Sequence, residues 1–341
     1  MLNTIYRLVS PRQIVATTVE EIIDMDSVVV RPLYLSICHA DQRYYTGTRD
    51  KKVLRKKLPM ALIHEGMGEV VRDETGQLKI GQRVIIVPNT PFEESKTIEE
   101  NYLESSKFRS SGYDGLMQEY VVARRDRLVE VLDEVPSNVA AYTELISVAM
   151  HSISNMERVK NIDKKVFGIW GDGNLGYITA NLLRAKYPES EIVVIGKNED
   201  KLNYFSFVSN TYTLDNLPDD LVVSHAFECV GGSGSKDAIE QIIRCIKPRG
   251  SIAIMGVSEN PIEINTRLIL EKGLTVCGTS RSGVKDFEDT IAFLAMHKKT
   301  RNRFENLIGM EKNIRNIDDI HKFFEDDIVN CWGKSVMRWK M

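Results

Sequence analysis

Three segments of the chain carry side chains that could hold a metal ion. Cys38 is followed three residues later by Asp41, His64 is followed directly by Glu65, and Glu144 lies much further along the chain. One thiolate, one imidazole and one or two carboxylates form a normal zinc set, and a catalytic zinc leaves a position open for water or substrate. No local spacing joins these segments, so a buried cysteine and a core histidine are the alternative interpretation.

A glycine-rich turn offers a second chemistry, the binding of a dinucleotide. The GxGxxG pattern is formed by Gly171, Asp172, Gly173, Asn174, Leu175 and Gly176. It follows the apolar run Val166–Trp170 and opens the helical segment Tyr177–Tyr187. In that context the first glycine permits a tight turn, the second lets the backbone approach a pyrophosphate, and the third lets helix and strand pack closely. The pyrophosphate would lie at the helix N-terminus, and an ordinary turn is the alternative.

The tip of the next strand favours NADPH over NADH. An NAD site usually has an acidic residue there that accepts hydrogen bonds from the ribose 2′-OH. This chain has Gly196, which leaves room for a phosphate, and then Lys197, which supplies a cation. The alternative is that Lys197 is only solvated and that Glu199 or Asp200 contacts the ribose.

The elements that must position these residues change in type near Pro136. Before about residue 135, β-branched runs separated by Gly and Pro predict a compact, mostly β unit, with Thr90–Gly112 as a polar excursion. The predicted strands are Ser27–Leu33, Gly68–Arg72, Arg83–Pro88 and Gln118–Ala123.

After Pro136, strand and helix signals alternate, which predicts a parallel sheet covered by helices. Helical spacing is found in Ser137–Val159, Tyr177–Tyr187, Lys236–Ile246, Asp286–Met296 and Ile317–Phe324. The predicted strands are Val166–Trp170, Ile192–Ile195, His225–Cys229, Ser251–Met255, Leu274–Gly278 and, returning to the first domain, Ser335–Trp339.

Composition limits the function classes. The 341 residues are enough for two domains, and 43% hydrophobic with 27% charged residues is the balance of a soluble globular protein. A net charge of −3 gives no reason to expect nucleic acid as a partner. The sequence contains no apolar run of about 18 residues, so no membrane span is predicted. The N-terminus lacks a signal-peptide core. The cysteines are odd in number and widely scattered, which does not suggest a disulfide framework and so favours a reducing cytoplasm. They are Cys38, Cys229, Cys245, Cys277 and Cys331.

The ordered motifs resemble the medium-chain dehydrogenase/reductase family, especially its polyol dehydrogenases, over nearly the whole chain. They are Cys-x-x-Asp at Cys38, His-Glu-Gly-x-Gly-x-Val at His64, Glu-x-x-Ser-Val-Ala at Glu144 and GxGxxG at Gly171. The resemblance implies an α/β protein with a GroES-like, mostly β catalytic domain and a Rossmann cofactor domain with a doubly wound parallel sheet. The expected ranges are 1–145, 146–283 and, for a return to the catalytic domain, 284–341.

The resemblance also implies roles by position. Cys38 and His64 are the expected zinc ligands, and Glu65 is a ligand or its close neighbour. Glu144 matches an acidic ligand or a carboxylate just behind the ligands, and Asp41 would orient a ligand. The expected cofactor-binding residues are Gly171, Gly173, Asn174, Leu175, Gly176, Lys197, Gly231 and Arg281.

Two departures from the family pattern matter. The stretch Thr90–Gly112 has no cysteine, where many relatives hold a structural zinc, so we expect a single zinc. Ala40 stands where many relatives have a Ser or Thr that relays a proton. The proton path then runs through zinc-bound water with Glu144 or Glu65, or through His39, and the sequence does not choose between them.

Within the family, six segments resemble the branch that reduces D-ribulose 5-phosphate with NADPH to D-ribitol 5-phosphate for CDP-ribitol and teichoic acid synthesis. They are Arg31–Cys38, Asp41–Gly47, Phe108–Gly112, Gly168–Gly176, Phe227–Gly232 and Ser280–Gly283. A sugar phosphate needs an anion clamp besides a Lewis acid, and arginine suits phosphate because its planar fork binds two oxygens. The candidates, any of which could simply be solvated, are Arg43, Arg49, Lys51, Arg109, Ser110 and Ser111, and Arg281 could meet cofactor or substrate.

Other functions stay open on the sequence. The nearest is an NADP-linked dehydrogenase of another polyol or polyol phosphate, and another is a zinc-free quinone or enone reductase of the same fold. From a different class, the chain could be a non-catalytic NADPH-binding sensor or scaffold. By analogy with relatives we expect a homodimer, and association with a ribitol-5-phosphate cytidylyltransferase is a further expectation.

Overall fold

Two compact units divide the chain in the computed structural model. The structure describes residues 1–159, 163–330 and 332–341, so Cys331 lies outside the described residues. The first unit comprises Met1–Ser147 and Arg281–Met341, and the second comprises Val148–Ser280. No helix among the described residues is long and apolar enough to cross a membrane.

Strands dominate the described residues before Pro136, and helices are more frequent after it. The strands are β1 (Leu2–Ser10), β2 (Gln13–Glu20), β3 (Ser27–Ser36), β4 (Met60–Ala61), β5 (Glu65–Asp73), β6 (Arg83–Ile86), β7 (Asn89–Thr90), β8 (Lys107–Phe108), β9 (Val121–Arg124), β10 (Leu128–Glu130), β11 (Val166–Trp170), β12 (Glu191–Gly196), β13 (Asn210–Thr213), β14 (Val223–Glu228), β15 (Ile246–Ile254), β16 (Thr275–Gly278), β17 (Ile308–Ile314) and β18 (Lys334–Trp339). The α-helices are α1 (His39–Tyr45), α2 (Lys51–Lys57), α3 (Ser137–Ala140), α4 (Thr143–Glu157), α5 (Asn174–Lys186), α6 (Glu199–Leu202), α7 (Ser235–Cys245), α8 (Thr266–Lys272), α9 (Val284–Met296), α10 (Lys298–Asn306) and α11 (Ile317–Val329).

The first unit is built on a mainly antiparallel sheet in the order β10-β6-β5-β3-β18-β17, with β9 also paired to β3. Its central strand β3 carries the run Val28–Val30. Successive side chains of a strand point to opposite faces of the sheet, and all three are buried, so both faces are covered here. The register places Ser36 opposite Glu65 of β5 and opposite Val336 of β18. The start of β5, the start of β18 and the loop after β3 therefore meet at one end of this sheet.

The second unit has a six-stranded sheet in the order β13-β12-β11-β14-β15-β16, and every pair in it is parallel. Strands β11, β12 and β14 are buried along most of their length, as expected when helices cover both faces. In a parallel sheet all carboxyl ends lie at one edge, and ligands bind there at the point where the strand order reverses. That point falls beside β11, the strand that precedes the glycine-rich turn.

Several elements differ from the sequence-based expectations. The expected helical segment Ser137–Val159 is divided into α3 and α4 and ends at Glu157. The expected strand Gln118–Ala123 begins only at Val121, because Gln118 makes an isolated bridge to Ile5 and its carbonyl accepts from the Trp339 indole. The hairpin of β1 and β2 was not predicted; only Ile14 of β2 is buried, so this strand lacks the regular alternation of buried and exposed residues that marks a half-buried strand.

Candidate metal and dinucleotide sites

The Asp41 carboxylate ties together the loops that carry Cys38 and His64. Its Oδ2 accepts a hydrogen bond from the Cys38 backbone N–H at 3.1 Å, and its Oδ1 accepts from the Ile63 N–H and the Ser110 hydroxyl, both at 3.0 Å. Ile63 has a φ of +71°, which a β-branched residue rarely adopts. The hydrogen bond to Asp41 helps hold this strained turn directly before His64.

Three of the predicted ligands converge at the end of the first unit's sheet. Ligand atoms of Cys38, His64 and Glu65 all lie within 4.8 Å of one another. The Cys38 Sγ is 3.4 Å from the His64 Nε2, and ligands of a tetrahedral zinc with normal bond lengths are about 3.5 Å apart. The Glu144 Oε2, carried by the first turn of α4, lies 4.0 Å from the same Nε2. The residues present therefore fit a zinc ion.

The Glu65 carboxylate forms an ion pair with a lysine that was not among the residues expected from the sequence. Lys334, the first residue of β18, has its Nζ 2.7 Å from the Glu65 Oε2 and donates to the Ile37 carbonyl at 2.7 Å. Lys334 is 2% exposed and Glu65 is fully buried, so this is an interior ion pair. Burial would lower the pKa of Lys334, but the charges of Glu65 and Cys38 raise it, which keeps the ammonium charged.

The electrostatics of the group also suit a cation. Burial raises the pKa of Cys38 well above its usual range, and Asp41 and Glu65 raise it further. Burial raises the pKa of Glu65 to about 7, with Lys334 acting against it. Burial is also the main cause that raises the pKa of Glu144. Several acidic groups thus share one buried region, and a bound cation would favour their ionised forms.

The predicted phosphate-binding residues fall into two groups. Arg109 donates to the backbone carbonyls of Val122 and Asp114, and Ser110 donates to Asp41, so both side chains are engaged within the fold. Arg43 and Arg49 lie on α1 and shortly after it, and Ser111 accepts a hydrogen bond from a lysine of α2. Arg109 and Ser110, at least, therefore use their donors within the fold.

The glycine-rich turn has the geometry that a dinucleotide requires. Gly171 has a φ of +129°. A Cβ on Gly176 would lie 2.0 Å from the Gly171 carbonyl oxygen, so only glycine lets α5 pack this closely on the turn. A Cβ on Gly173 would meet nothing within 4 Å, which leaves open space at the backbone where a pyrophosphate would approach. Asn174 and Leu175 form the first turn of α5, whose N–H groups lack intrahelical acceptors. The predicted residues fit a dinucleotide.

The tip of β12 lacks the open space at Gly196 that the sequence predicts. A Cβ on Gly196 would come within 2.6 Å of the Asp172 Cβ, so Asp172 fills the space that was expected to admit a phosphate. The Asp172 carboxylate accepts from the backbone N–H groups of Lys197 and Asn198 at 2.8 and 2.7 Å. The Lys197 side chain is exposed at this turn. The Lys197 cation, rather than space at Gly196, is therefore the feature that would favour a 2′-phosphate, and this role stays a prediction.

Glu228 organises the neighbouring loops, although it was not among the residues expected from the sequence. It ends β14, is fully buried, and accepts from the N–H groups of Val230, Gly231 and Gly256 at 2.9 to 3.0 Å. Gly231 has a φ of +66°. The carboxylate therefore fixes the loops after β14 and β15, including the predicted cofactor-binding Gly231. Its position at a strand's carboxyl end was the available signal.

Arg281, expected to contact the cofactor, opens the second segment of the first unit. It has a φ of +61°, and its guanidinium lies 4.7 Å from the centre of the Phe108 ring. The same ring is 5.2 Å from the His64 ring. Arg281 therefore stands close to the proposed metal ligands within its own unit.

Comparison with known families and proteins agrees with this geometry. Residues 24–133 match the family model of the alcohol dehydrogenase GroES-like domain, and residues 185–296 match that of the zinc-binding dehydrogenases. Together with the two sheets described above, these matches confirm the predicted fold class.

Individual relatives resemble the chain along its full length. It is 52% identical over 341 residues to a ribulose-5-phosphate reductase of Bacillus spizizenii, and 52% identical over the same length to ribulose-5-phosphate reductase 1 of Staphylococcus aureus, with all of each chain covered. The crystal structure of S. aureus TarJ in complex with NADPH has a TM-score of 0.89 and 48% identity, again with both chains fully covered.

Proposed function

Because this chain belongs to the ribulose-5-phosphate reductase family of the zinc-binding alcohol dehydrogenases, we propose that it reduces D-ribulose 5-phosphate to D-ribitol 5-phosphate with NADPH. The product would feed CDP-ribitol and teichoic acid synthesis. The observation that carries the proposal is the full-length similarity to ribulose-5-phosphate reductases in a chain whose Cys38, His64 and Glu65 converge.

The first unit would hold the zinc and the substrate. We assign Cys38 and His64 as ligands, with Glu144 or Glu65 completing the set. When bound, zinc acts as a Lewis acid that polarises a carbonyl. Lys334 holds the Glu65 carboxylate, and Asp41 holds the backbone of the Cys38 loop, so the ligand atoms stay in place between turnovers.

The second unit would hold NADPH, which supplies the hydride. The backbone at Gly171–Gly176 would receive the pyrophosphate, as the open space at Gly173 supports. Lys197 would pair with the 2′-phosphate. Glu228 keeps the Gly231 loop in place through three backbone hydrogen bonds.

We propose a cytoplasmic enzyme that forms a homodimer. The location is supported by the four described cysteines, which are free thiols. The dimer is supported by β16, an edge strand of the six-stranded sheet on which Val276 is 38% exposed. Association with a ribitol-5-phosphate cytidylyltransferase stays a prediction.

The decisive experiment follows NADPH oxidation with a panel of ketoses and ketose phosphates. We expect D-ribulose 5-phosphate to be the preferred substrate, a chelator to abolish the activity and added zinc to restore it. The Cys38→Ser variant should lose turnover while still binding NADPH, with Cys245→Ser as the matched control, since Cys245 lies on α7 of the second unit. Full activity of a metal-free Cys38→Ser protein would contradict the mechanism, and no activity with any ketose phosphate would contradict the function.

A further inference from the structure

A cationic cluster in the first unit has no role in the function described so far. Its first member is Arg281, whose guanidinium lies over the face of Phe108, the ring that also contacts His64. Arg281 adopts a left-handed backbone conformation, which non-glycine residues keep chiefly where the surroundings fix them, often at functional sites. Burial lowers the pKa of Arg281, while Glu144 acts in the opposite direction, which places the guanidinium within the electrostatic range of the proposed ligands.

The other two members are Lys57 and Arg49. Lys57 is the last residue of α2, and its Nζ donates to the Ser111 hydroxyl at 2.8 Å. Burial lowers the pKa of Lys57, and the nearby charges of Arg49 and Arg281 lower it further. Arg49 lies 4.5 Å from the centre of the buried Tyr44 ring, which fixes its direction. The Ser111 N–H donates to the Phe108 carbonyl at 3.1 Å, so the turn 108–111 joins Lys57, at Ser111, to Arg281, over the Phe108 ring. Arg49 reaches the same turn through Tyr44, whose hydroxyl interacts with Ser111.

No member of this cluster is paired directly with a carboxylate in the described part of the chain, although the charge of Glu144 acts on Arg281 from a distance. Among residues 1–159, 163–330 and 332–341, none of the three cations forms an ion pair with a carboxylate, and the buried Arg49 Nε has no hydrogen-bond acceptor. Like charges held together in a partly buried region raise the free energy of the folded protein unless an anion neutralises them. A phosphate monoester carries close to two negative charges at neutral pH and offers three acceptor oxygens.

We propose that Arg49, Lys57, Ser111 and Arg281 form the subsite for the substrate's 5-phosphate. This inference rests on the proposed function and names the residues that make it selective for a phosphorylated sugar. In D-ribulose 5-phosphate, three carbon–carbon bonds and an ester oxygen separate the carbonyl carbon from the phosphorus. His64 and Arg281 each contact the Phe108 ring, so this one side chain adjoins both the proposed metal ligands and the cation cluster.

The proposal changes the expected set of phosphate-binding residues. Lys57 enters it, although in the sequence it resembles any other lysine of the basic run in α2. Arg109 and Ser110 leave it because their donors are used by backbone carbonyls and by Asp41. Arg281, for which cofactor and substrate were both open on the sequence, is assigned to the substrate, since its guanidinium packs on Phe108 within the first unit.

Steady-state kinetics with D-ribulose 5-phosphate and with D-ribulose test the subsite in the zinc-loaded enzyme. We expect Lys57→Met and Arg281→Met each to lower kcat/KM for the phosphorylated sugar about ten- to a hundredfold, mainly through KM, because each removes a charge-assisted hydrogen bond. The kcat/KM for D-ribulose and the KM for NADPH should change by less than about twofold on the same reasoning. Lys52→Met removes an exposed charge from the same helix and should change neither.

Inhibition by inorganic phosphate provides a second readout that does not depend on turnover of the unphosphorylated sugar. Phosphate should compete with D-ribulose 5-phosphate in the wild type, and Lys57→Met should weaken this inhibition about tenfold or more. Equal losses on both sugars, or unchanged phosphate inhibition, would overturn the subsite. A raised KM for NADPH in Arg281→Met would return Arg281 to the cofactor. A wild type that reduces no ketose phosphate would instead refute the proposed function.

Discussion

The Lys334 ammonium and the Glu65 carboxylate form an ion pair at 2.7 Å in the interior of the first unit, and 269 residues separate them in the sequence. Interior ion pairs recover their desolvation cost only when both partners are present. The pair therefore joins the start of β18 to the start of β5 and holds a carboxylate beside Cys38 and His64.

Breaking this pair should destabilise the protein strongly. Lys334→Met leaves Glu65 buried without its counter-charge, so we expect a loss of about 3–5 kcal/mol in the free energy of unfolding. The double variant Lys334→Met/Glu65→Met should recover most of it, because two apolar side chains can replace a buried pair. Urea unfolding in the presence of a chelator measures this, with the exposed Lys340→Met as control. A double variant as unstable as the single one would contradict the argument.

Asp41→Asn should weaken zinc binding. The amide cannot accept the three hydrogen bonds that the carboxylate receives from Cys38, Ile63 and Ser110. Loss of a group that orients ligands typically costs about 10- to 100-fold in metal affinity or activity. Zinc competition with a chromophoric chelator measures the affinity. Asp50→Asn removes an exposed carboxylate from the cap of α2 and should leave zinc affinity unchanged.

Lys197→Met should reduce the preference for NADPH. The variant lacks the cation proposed to pair with the 2′-phosphate, so KM for NADPH should rise about tenfold while KM for NADH changes little. Initial rates with each coenzyme provide the comparison. Lys165→Met, an exposed lysine just before β11 at the opposite edge of the sheet, is the matched control. An equal rise in KM for NADPH and NADH would show that Lys197 does not bind the 2′-phosphate.

His225 should make the second unit less stable in mild acid. Burial lowers its pKa to about 4, and its Nδ1 lies 2.7 Å from the Ser251 hydroxyl. The unfolded chain takes up the proton near pH 6.5, so between about pH 6.5 and 4 it binds more protons than the folded chain. The contribution of neutral His225 to the free energy of unfolding is therefore complete above that window. It falls as the pH drops through the window, by about 3 kcal/mol in all.

The measurement is urea unfolding at several pH values, combined with hydrogen exchange of the β14 amides. His225→Gln has no titrating group at this position and should show a flatter pH dependence in that window. His297→Gln, a change in the first unit, serves as the control. Identical slopes for wild type and His225→Gln would exclude His225 as the cause.

Local patterns in the sequence predicted elements well where the stabilising contacts are themselves local. The GxGxxG turn between β11 and α5 is one example, because its glycines, strand and helix are contiguous. Strand β3 is different: it continues through Tyr34–Ser36, where it pairs with β5 on one side and with β18, from much later in the sequence, on the other. Propensity within a short window does not register these partners.

The candidate site shows the same limit. Residue type singled out Cys38, His64 and Glu65, and the family resemblance gave them roles; the structure brings them together, and their role as ligands stays a prediction. Lys334 and Lys57 were not singled out, because a lysine in a polar context is usually solvated and its burial depends on distant segments. Arg109 had the residue type of a phosphate binder, but nothing in the sequence shows that backbone carbonyls already use its donors.

The first unit is formed by two separate segments of the chain, and this has a consequence for its folding during synthesis. Domains fold as units while the ribosome extends the chain. The second unit is one uninterrupted segment, Val148–Ser280, and can acquire its sheet as soon as that segment has emerged. Strand β3, in the earlier-made segment, must wait for β18, so its Tyr34–Ser36 end lacks a partner on that side until residues 334–339 have emerged. A nascent chain stalled before residue 334 would carry a complete second unit and a first-unit sheet with this edge of β3 unpaired, which is a site for pairing with other chains.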